Sequence, residues 1–484
     1  MHWLKLRKGI QERPETTSTS KASGFFTRKF FKQTALVGLG AAVIGLLVVL
    51  GFNLSARAQA PAPAPAAKDT SPIKIGILHS LSGTMAISET SIKDVMMMAV
   101  AEINAHGGVL GRKLMPVVED PASNWPLFAE KAKKLLLEDK VSVVFGCWTS
   151  VSRKSVLPVF EKNDGLLFYP VQYEGEECSR NVIYTGASPN QQAIPAVEYF
   201  LGKEGGEKTK FYLLGTDYVY PRTTNKILRA MLLAKGISPD NIAEEYTPFH
   251  HQDYQTIVAK VKRFCEGGKA AVINTINGDS NVPFFKELSN QGITAEGCPV
   301  MSFSVAEDEL RSLDTKPLVG HLAAWNYFES VDMPKNKEFV KRFKAFAKKN
   351  NLPDAASRVT DDPIFWGYVG LYTWKAAAEK AGSPDVEAVL SALPGLEVFT
   401  PAGKILVDPR NHHTAKPVYI ARILANGQFE IIWKSKGLVT PEPWSEYTYP
   451  GRGCDWGKGG KGSYDMKGQE RIYLDPEAKP IASM

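Results

Sequence analysis

Residues 141–160 read VSVVFGCWTSVSRKSVLPVF. The apolar run 141–145 predicts a buried strand, and Thr149 with Ser150 predicts the cap of the helix that follows. A strand that turns at one corner into a helix is half of a βαβ unit, so the fold depends on whether the pattern recurs. It does. IKIGIL (73–78) reads as a strand, Ile92, Val95, Met96, Ala99, Val100 and Ile103 have helical spacing, and Gly107-Gly108 stops that helix. KLMPVVED (113–120) is the next strand, LFAEKAKKLLLEDK (127–140) a helix, and LLFYP (166–170) the strand after residues 141–160. This alternation predicts a parallel sheet covered by helices on both faces.

Near Pro189 the alternation restarts and runs through KFYLLGT, IAEEY, AAVINTI, PVMSF and LVGHLAAWNYF, with helices between the first four, which predicts a second α/β lobe. Two long helices after Pro334 and the strands GKILV, PVYIARI and QFEIIW complete one lobe or the other, so the chain crosses between lobes more than once. The expected division is 72–188 plus 328–395 for one lobe and 189–327 plus 396–450 for the other. Residues 451–484, glycine-rich around GRGCDWGKGGKG, form a C-terminal extension.

A formal charge of +7 on 484 residues looks basic until it is located. The first 60 residues carry nine Lys/Arg against Glu12 and Glu15, and the rest carries 49 charges of each sign, which removes the support for a nucleic-acid partner. That basic head, the apolar run 35–52 and the small residues Ala58 and Ala60 read as an export signal with cleavage after Ala60, hence a periplasmic protein. An uncleaved membrane anchor is the alternative. Lys29 stands where a twin-arginine signal would have its second arginine, and Pro/Ala-rich residues 61–71 read as a tether. Of five cysteines, Cys265 and Cys298 each precede a strand and can bridge if those strands are parallel neighbours. Cys178 and Cys454, each in a polar loop, are the next candidate pair, leaving Cys147 unpaired.

Ligands bind open parallel sheets beyond the carboxyl ends of the strands. Those ends carry His79, Ser80 and Ser82; Trp148, Thr149 and Ser150; Tyr169, Gln172 and Glu174; Asp217, Tyr218 and Tyr220; and Asn277 and Asp279. Aromatic rings, hydroxyls and a few carboxylates, with no Lys/Arg cluster, suit a small neutral polar ligand. Cys147, at a helix start with His79 on a neighbouring strand end, has a second reading as a nucleophile. The alternative is a buried packing residue, since free cysteines are commonly buried. The adjacent histidines in FHHQDY and NHHT lack helical zinc spacing and are expected at the surface. Asp361-Asp362-Pro363 reads as a helix start whose two carboxylates could also hold calcium. No cofactor and no metal site is otherwise indicated.

The blocks IGILHSLSGTMA, INAHGGVLGRKL, FGCWTSVSRKSVLPV, FYPVQYEGEECSRNVIYTGASPNQ, GTDYVYPRTTN, INTINGDSNVPFFKEL and GCDW resemble those of solute-binding proteins of ABC importers for branched-chain amino acids and amides, in particular the urea-binding branch. The resemblance implies a two-lobed type I periplasmic-binding-protein fold, each lobe a parallel sheet flanked by helices, with three crossings and a ligand cleft between the lobes. It implies urea or a similar neutral amide as ligand, an importer permease as partner, and no enzymatic activity. The membrane would be met only through the export signal or the permease. For urea, Trp148 and Tyr169 are expected as flat walls, with Ser150 and nearby N–H groups on the carbonyl and Gln172, Glu174 and Asp217 accepting from the amides. Tyr218 and Tyr220 close the site, with Asn277 and Asp279 nearby. The alternatives are a protein that binds or senses short amides or amino acids, and an amidase using Cys147.

Overall fold

Strands β1 (Ile73–Leu78), β2 (Leu114–Glu119), β3 (Val144–Gly146), β4 (Leu167–Tyr169) and β5 (Val182–Tyr184) pair in parallel in the order β2-β1-β3-β4-β5. The computed structural model describes residues 69–457, 461–463 and 473–474, so the segment expected to be an export signal, most of the expected tether and most of the expected C-terminal extension lie outside the described residues. Helices α1 (Ala86–Ala105), α2 (Trp125–Leu137) and α3 (Ser150–Lys162) connect the first strands. They cover the sheet, which is why Ile75, Ile77, Val144, Phe145 and Leu167 are all buried instead of alternating with polar residues.

The second series supplies β6 (Lys210–Thr216), β7 (Ile242–Thr247), β8 (Ala270–Thr275), β9 (Val300–Ser302) and β10 (Leu322–Trp325). Its helices are α4 (Ala193–Leu201), α5 (Val219–Ala234), α6 (Gln255–Cys265), α7 (Asn281–Asn290) and the short α8 (Glu307–Leu310). Then α9 (Pro334–Lys349), α10 (Asp362–Ala381) and α11 (Val386–Ala392) return to the first lobe, where Phe339, Phe343, Phe365 and Trp374 share one apolar core with Ile75, Val95 and Phe145. The hairpin β11 (Glu397–Thr400) and β12 (Gly403–Val407), extended by β13 (Thr414–Ala415), adds Val398, Ile405 and Val407 to that same core. The handover expected at residues 395/396 therefore falls after Val407. Strands β14 (Tyr419–Ile423) and β15 (Phe429–Lys434) then join the second lobe antiparallel, completing the order β15-β14-β10-β9-β8-β6-β7. No described helix is long and apolar enough to cross a membrane.

The chain thus passes between the lobes three times, and Asn326 ties the three passages together. Its side-chain NH2 donates to the Gln191 carbonyl at 2.9 Å on the first passage and to the Pro417 carbonyl at 2.7 Å on the third. Its backbone N–H donates to Asp362 Oδ2 at 2.8 Å. Leucine at 326 would strand two carbonyls, at about 1–3 kcal/mol for each buried group. Asn326→Leu is therefore expected to lower stability by about 2–4 kcal/mol in guanidinium unfolding. A loss below about 0.5 kcal/mol, the range of an ordinary surface substitution, would show that this amide does not hold the crossings.

Cys265 is bridged to Cys298 and Cys178 to Cys454, with Cα separations of 5.8 and 5.6 Å, and Cys147 is free and buried. One expectation about histidines fails: His413 is fully buried, its ring stacked on Tyr184 at 4.3 Å and 8° and on Tyr173 at 5.6 Å. Local polarity gave no sign of these rings, which come from residues more than 200 positions earlier.

Candidate functional site

The end of β3 turns at once into α3. A Cβ on Gly146 would stand 2.4 Å from the Leu78 carbonyl oxygen, so glycine is what lets β3 end this close to β1. Cys147 follows with a left-handed backbone, φ 68°, its N–H donating to that carbonyl at 2.9 Å. Thr149 caps α3 by accepting from the Ser152 N–H at 3.1 Å. The corner places Trp148 between the lobes, where its indole N–H donates to Asn277 Oδ1 at 3.2 Å. The fully buried Tyr169 sits beneath, its hydroxyl donating to the Trp148 carbonyl.

Behind this corner lies buried charge that the strand-end survey missed. Arg153, one turn into α3, donates to Glu174 Oε1 at 3.0 Å, Glu177 Oε1 at 2.7 Å and Ser150 Oγ at 2.9 Å. Its guanidinium lies over the rings of Tyr169 and Tyr173, at 4.9 and 4.7 Å. Burial alone would raise the Glu177 carboxyl, but Arg153 and then Lys154, 2.6 Å away, hold it down at about 2. The Ser150 hydroxyl also donates to Glu174. Ser150 and Glu174, expected to face the ligand, are therefore engaged within the chain, because a carboxylate buried without a cation is strongly destabilising. The Ser150–Arg153 and Glu174–Glu177 spacings of three residues were the available sequence signal.

Gln172 is held differently. Its side-chain NH2 donates across the cleft to the Phe303 carbonyl and the Ser304 hydroxyl, both at 2.8 Å. A carbonyl oxygen only accepts, so the orientation of the amide is fixed by chemistry. Oε1 is left as a buried acceptor without a partner. The Tyr220 hydroxyl, from the other lobe, lies near Gln172 and Ser304, is buried, and meets hydrogen-bond geometry with neither. Ser304 and the Phe303 carbonyl stand at the carboxyl end of β9, a strand end whose loop sequence reading passed over.

The remaining expected residues divide. Tyr218 is half-buried, its ring 4.7 Å from Phe249 and 6.2 Å from Tyr220, near the others. Asp217 is not among them: it is 48% exposed and paired with Arg222 at 2.6 Å. The residue after a strand end can face either way, and here the turn into α5 sends Asp217 out and brings Tyr218 in. Asn277 and Asp279 contact the opposite lobe directly, Asp279 Oδ1 accepting from the Thr84 hydroxyl at 2.5 Å. Asp361 caps α10 by accepting from the Ile364 N–H at 3.0 Å, and Asp362 accepts from Asn326 and from the Trp366 indole. Among the described residues no group of three or more His, Cys, Asp or Glu is arranged to hold a metal ion. Two cavities of about 750 and 930 Å³ flank β15 in the second lobe and contain none of the strand-end residues.

The geometry argues against a nucleophilic Cys147. Burial, reinforced by the nearby Glu89 carboxylate, pushes the thiol up and keeps it protonated, and His79 Nδ1 is engaged with Glu89 at 3.1 Å. Folded protein is expected to resist iodoacetamide at Cys147 while unfolded protein reacts, as read by mass spectrometry. Labelling at the same rate in both would show an accessible thiol and reopen the amidase reading.

Residues 73–450 match the family described as periplasmic binding protein domain. The chain is 27% identical over 353 residues to Leu/Ile/Val-binding protein BraC3 of Rhizobium johnstonii, covering 69% of this chain and 86% of that one. It is 22% identical over 392 residues to Leu/Ile/Val-binding protein homolog 6 of Brucella melitensis biotype 1, covering 78% and 92%. Among solved structures it is similar to the solute binding protein of an ABC transporter from R. palustris in complex with 4-hydroxybenzoate, with TM-score 0.64, 20% identity, and 77% and 98% of the two chains covered. At that identity the likeness is one of fold.

Proposed function

We infer, from the premise that this chain belongs to the periplasmic binding protein domain family, that it captures urea between its lobes and hands it to the permease of an ABC importer. The family and its named relatives are solute-binding proteins, and the export signal in the sequence suits that role outside the cytoplasm. The observation that carries the choice of ligand is the buried Gln172 Oε1, an acceptor of fixed orientation between the lobes with nothing to accept from. It calls for an N–H donor on the ligand. The Tyr220 hydroxyl beside it is a donor for a ligand carbonyl, and Trp148 supplies a flat surface. Glu174 and Glu177 are already compensated by Arg153 and Lys154, so the site has no spare charge for a charged ligand. Urea, planar and uncharged with one acceptor and four N–H donors, fits this set.

The names of the relatives favour a second reading, a branched-chain amino acid, whose ammonium and carboxylate would both need charged or multiply bonded partners. Mass spectrometry of the small molecule carried by purified protein separates the two: urea or another neutral amide is expected, and leucine, isoleucine or valine would replace the urea reading with the amino-acid one.

A further inference from the structure

We propose that the loop 277–279 is a closing latch that positions the lobes over the ligand instead of binding the ligand itself; this rests on the two-lobed capture described above. Every cross-cleft contact of the loop reaches the first lobe. Asn277 Oδ1 accepts from the Trp148 indole at 3.2 Å. Asp279 accepts from the Thr84 hydroxyl at 2.5 Å, and its N–H donates to the Thr84 carbonyl at 3.3 Å. On its own lobe the loop is held firmly: the Asn277 N–H donates to Thr216 Oγ1 at 3.0 Å, the Asn277 NH2 to the Thr275 carbonyl at 3.1 Å, and the Asn281 NH2 to the Ile276 carbonyl at 2.9 Å. Asp279 Oδ2 is steadied by His250 Nδ1 at 2.5 Å.

Gly278 is the centre of the device. Its φ is 71°, and a Cβ there would stand 2.8 Å from the Thr84 carbonyl oxygen, 3.0 Å from Thr84 Oγ1 and 3.1 Å from Met85 Sδ. The lobes close to this distance only because residue 278 has no side chain. Trp148 links the latch to occupancy: the ring that walls the ligand also presents its N–H to Asn277, so a seated ligand orients the donor that the loop receives. Phe249, on the second lobe, packs on Trp125 of the first at 5.2 Å and flanks the same edge of the cleft. These contacts explain why Asn277 and Asp279, at a strand end, do not need a ligand partner.

A ligand-independent test is the Thr84→Cys/Asp279→Cys pair under mild oxidation, with and without Gly278→Val. The cross-link is expected to form in the pair and to slow by at least about tenfold when valine is present, the equivalent of about 1.4 kcal/mol against closure. Thr84→Val alone, which puts no side chain at φ 71°, covers the case in which Gly278→Val does not fold; it is expected to speed release of urea by about tenfold, one lost hydrogen bond, with the melting temperature of ligand-free protein unmoved. Equal cross-linking with and without valine, no cross-link in either, or unchanged release from Thr84→Val would each overturn the latch. If the pair cross-links but wild-type protein does not bind urea, the latch stands and the urea reading alone fails.

Discussion

Gln172→Leu is expected to weaken urea binding by about 10- to 100-fold while barely moving the melting temperature of the ligand-free protein. Leucine keeps most of the side-chain volume and removes one acceptor. A hydrogen bond lost with its buried partner left unmet costs about 1–3 kcal/mol, and each 1.4 kcal/mol is a factor of ten in Kd. The removal of the NH2 donor matters less than it first looks, because the Phe303 carbonyl also accepts from Gln192 at 3.2 Å. The effect therefore falls on the ligand, which is what separates a binding residue from a structural one. Calorimetry on wild type and variant reads it directly. A change within twofold would mean that Oε1 faces no ligand.

Arg153→Met should have the largest effect on stability, a loss of about 3–5 kcal/mol at pH 7, because the buried Glu174 and Glu177 lose the buried cation that pairs with both and keep only the partly exposed Lys154. The pH dependence carries the sign. In the wild type Glu177 is held at about 2, below its ordinary 4.5, so its stabilising contribution is complete above about pH 4.5 and disappears as pH falls toward 2. Without Arg153, the largest charge holding the Glu177 carboxyl down is gone and burial pushes it up, so the variant becomes less stable as pH rises through that raised value. The gap between the two proteins should then narrow as pH falls from 7 to 4 in a series of thermal melts. A gap that stays constant would show that the carboxylates are not what Arg153 stabilises.

Much of this architecture is legible in the residues, for a physical reason. Strands buried on both faces read as apolar runs: IKIGIL and AAVINT lie in the two sheets as expected, and of the run 141–145 Val144 and Phe145 form the start of β3. The hairpin of β11 and β12 was harder, because an alternating strand pattern such as GKILV says which face is apolar but not which lobe it packs on; Val398 and Ile405 meet the first core only through a return of the chain. Strand-end position put Trp148, Gln172, Tyr220 and Asn277 at the cleft between the lobes, since a strand's carboxyl end fixes the level at which a residue sits. It could not give side-chain direction, which turns Asp217 outward, nor pairing, which engages Ser150 and Glu174 with an arginine a full helical turn away. Arg153 escaped notice because it lies inside α3 instead of in a loop. The cleft looked like a set of independent polar residues in sequence; in space it is a neutralised charge cluster, a loop held against the opposite lobe, and a small number of buried polar groups without a partner in the chain.

Calorimetric titration of urea, acetamide and leucine into protein freed of ligand by unfolding and refolding tests that account most directly. Urea is expected to bind tightest, acetamide more weakly for want of the second amino group, and leucine not measurably. Leucine binding with no response to urea would contradict it.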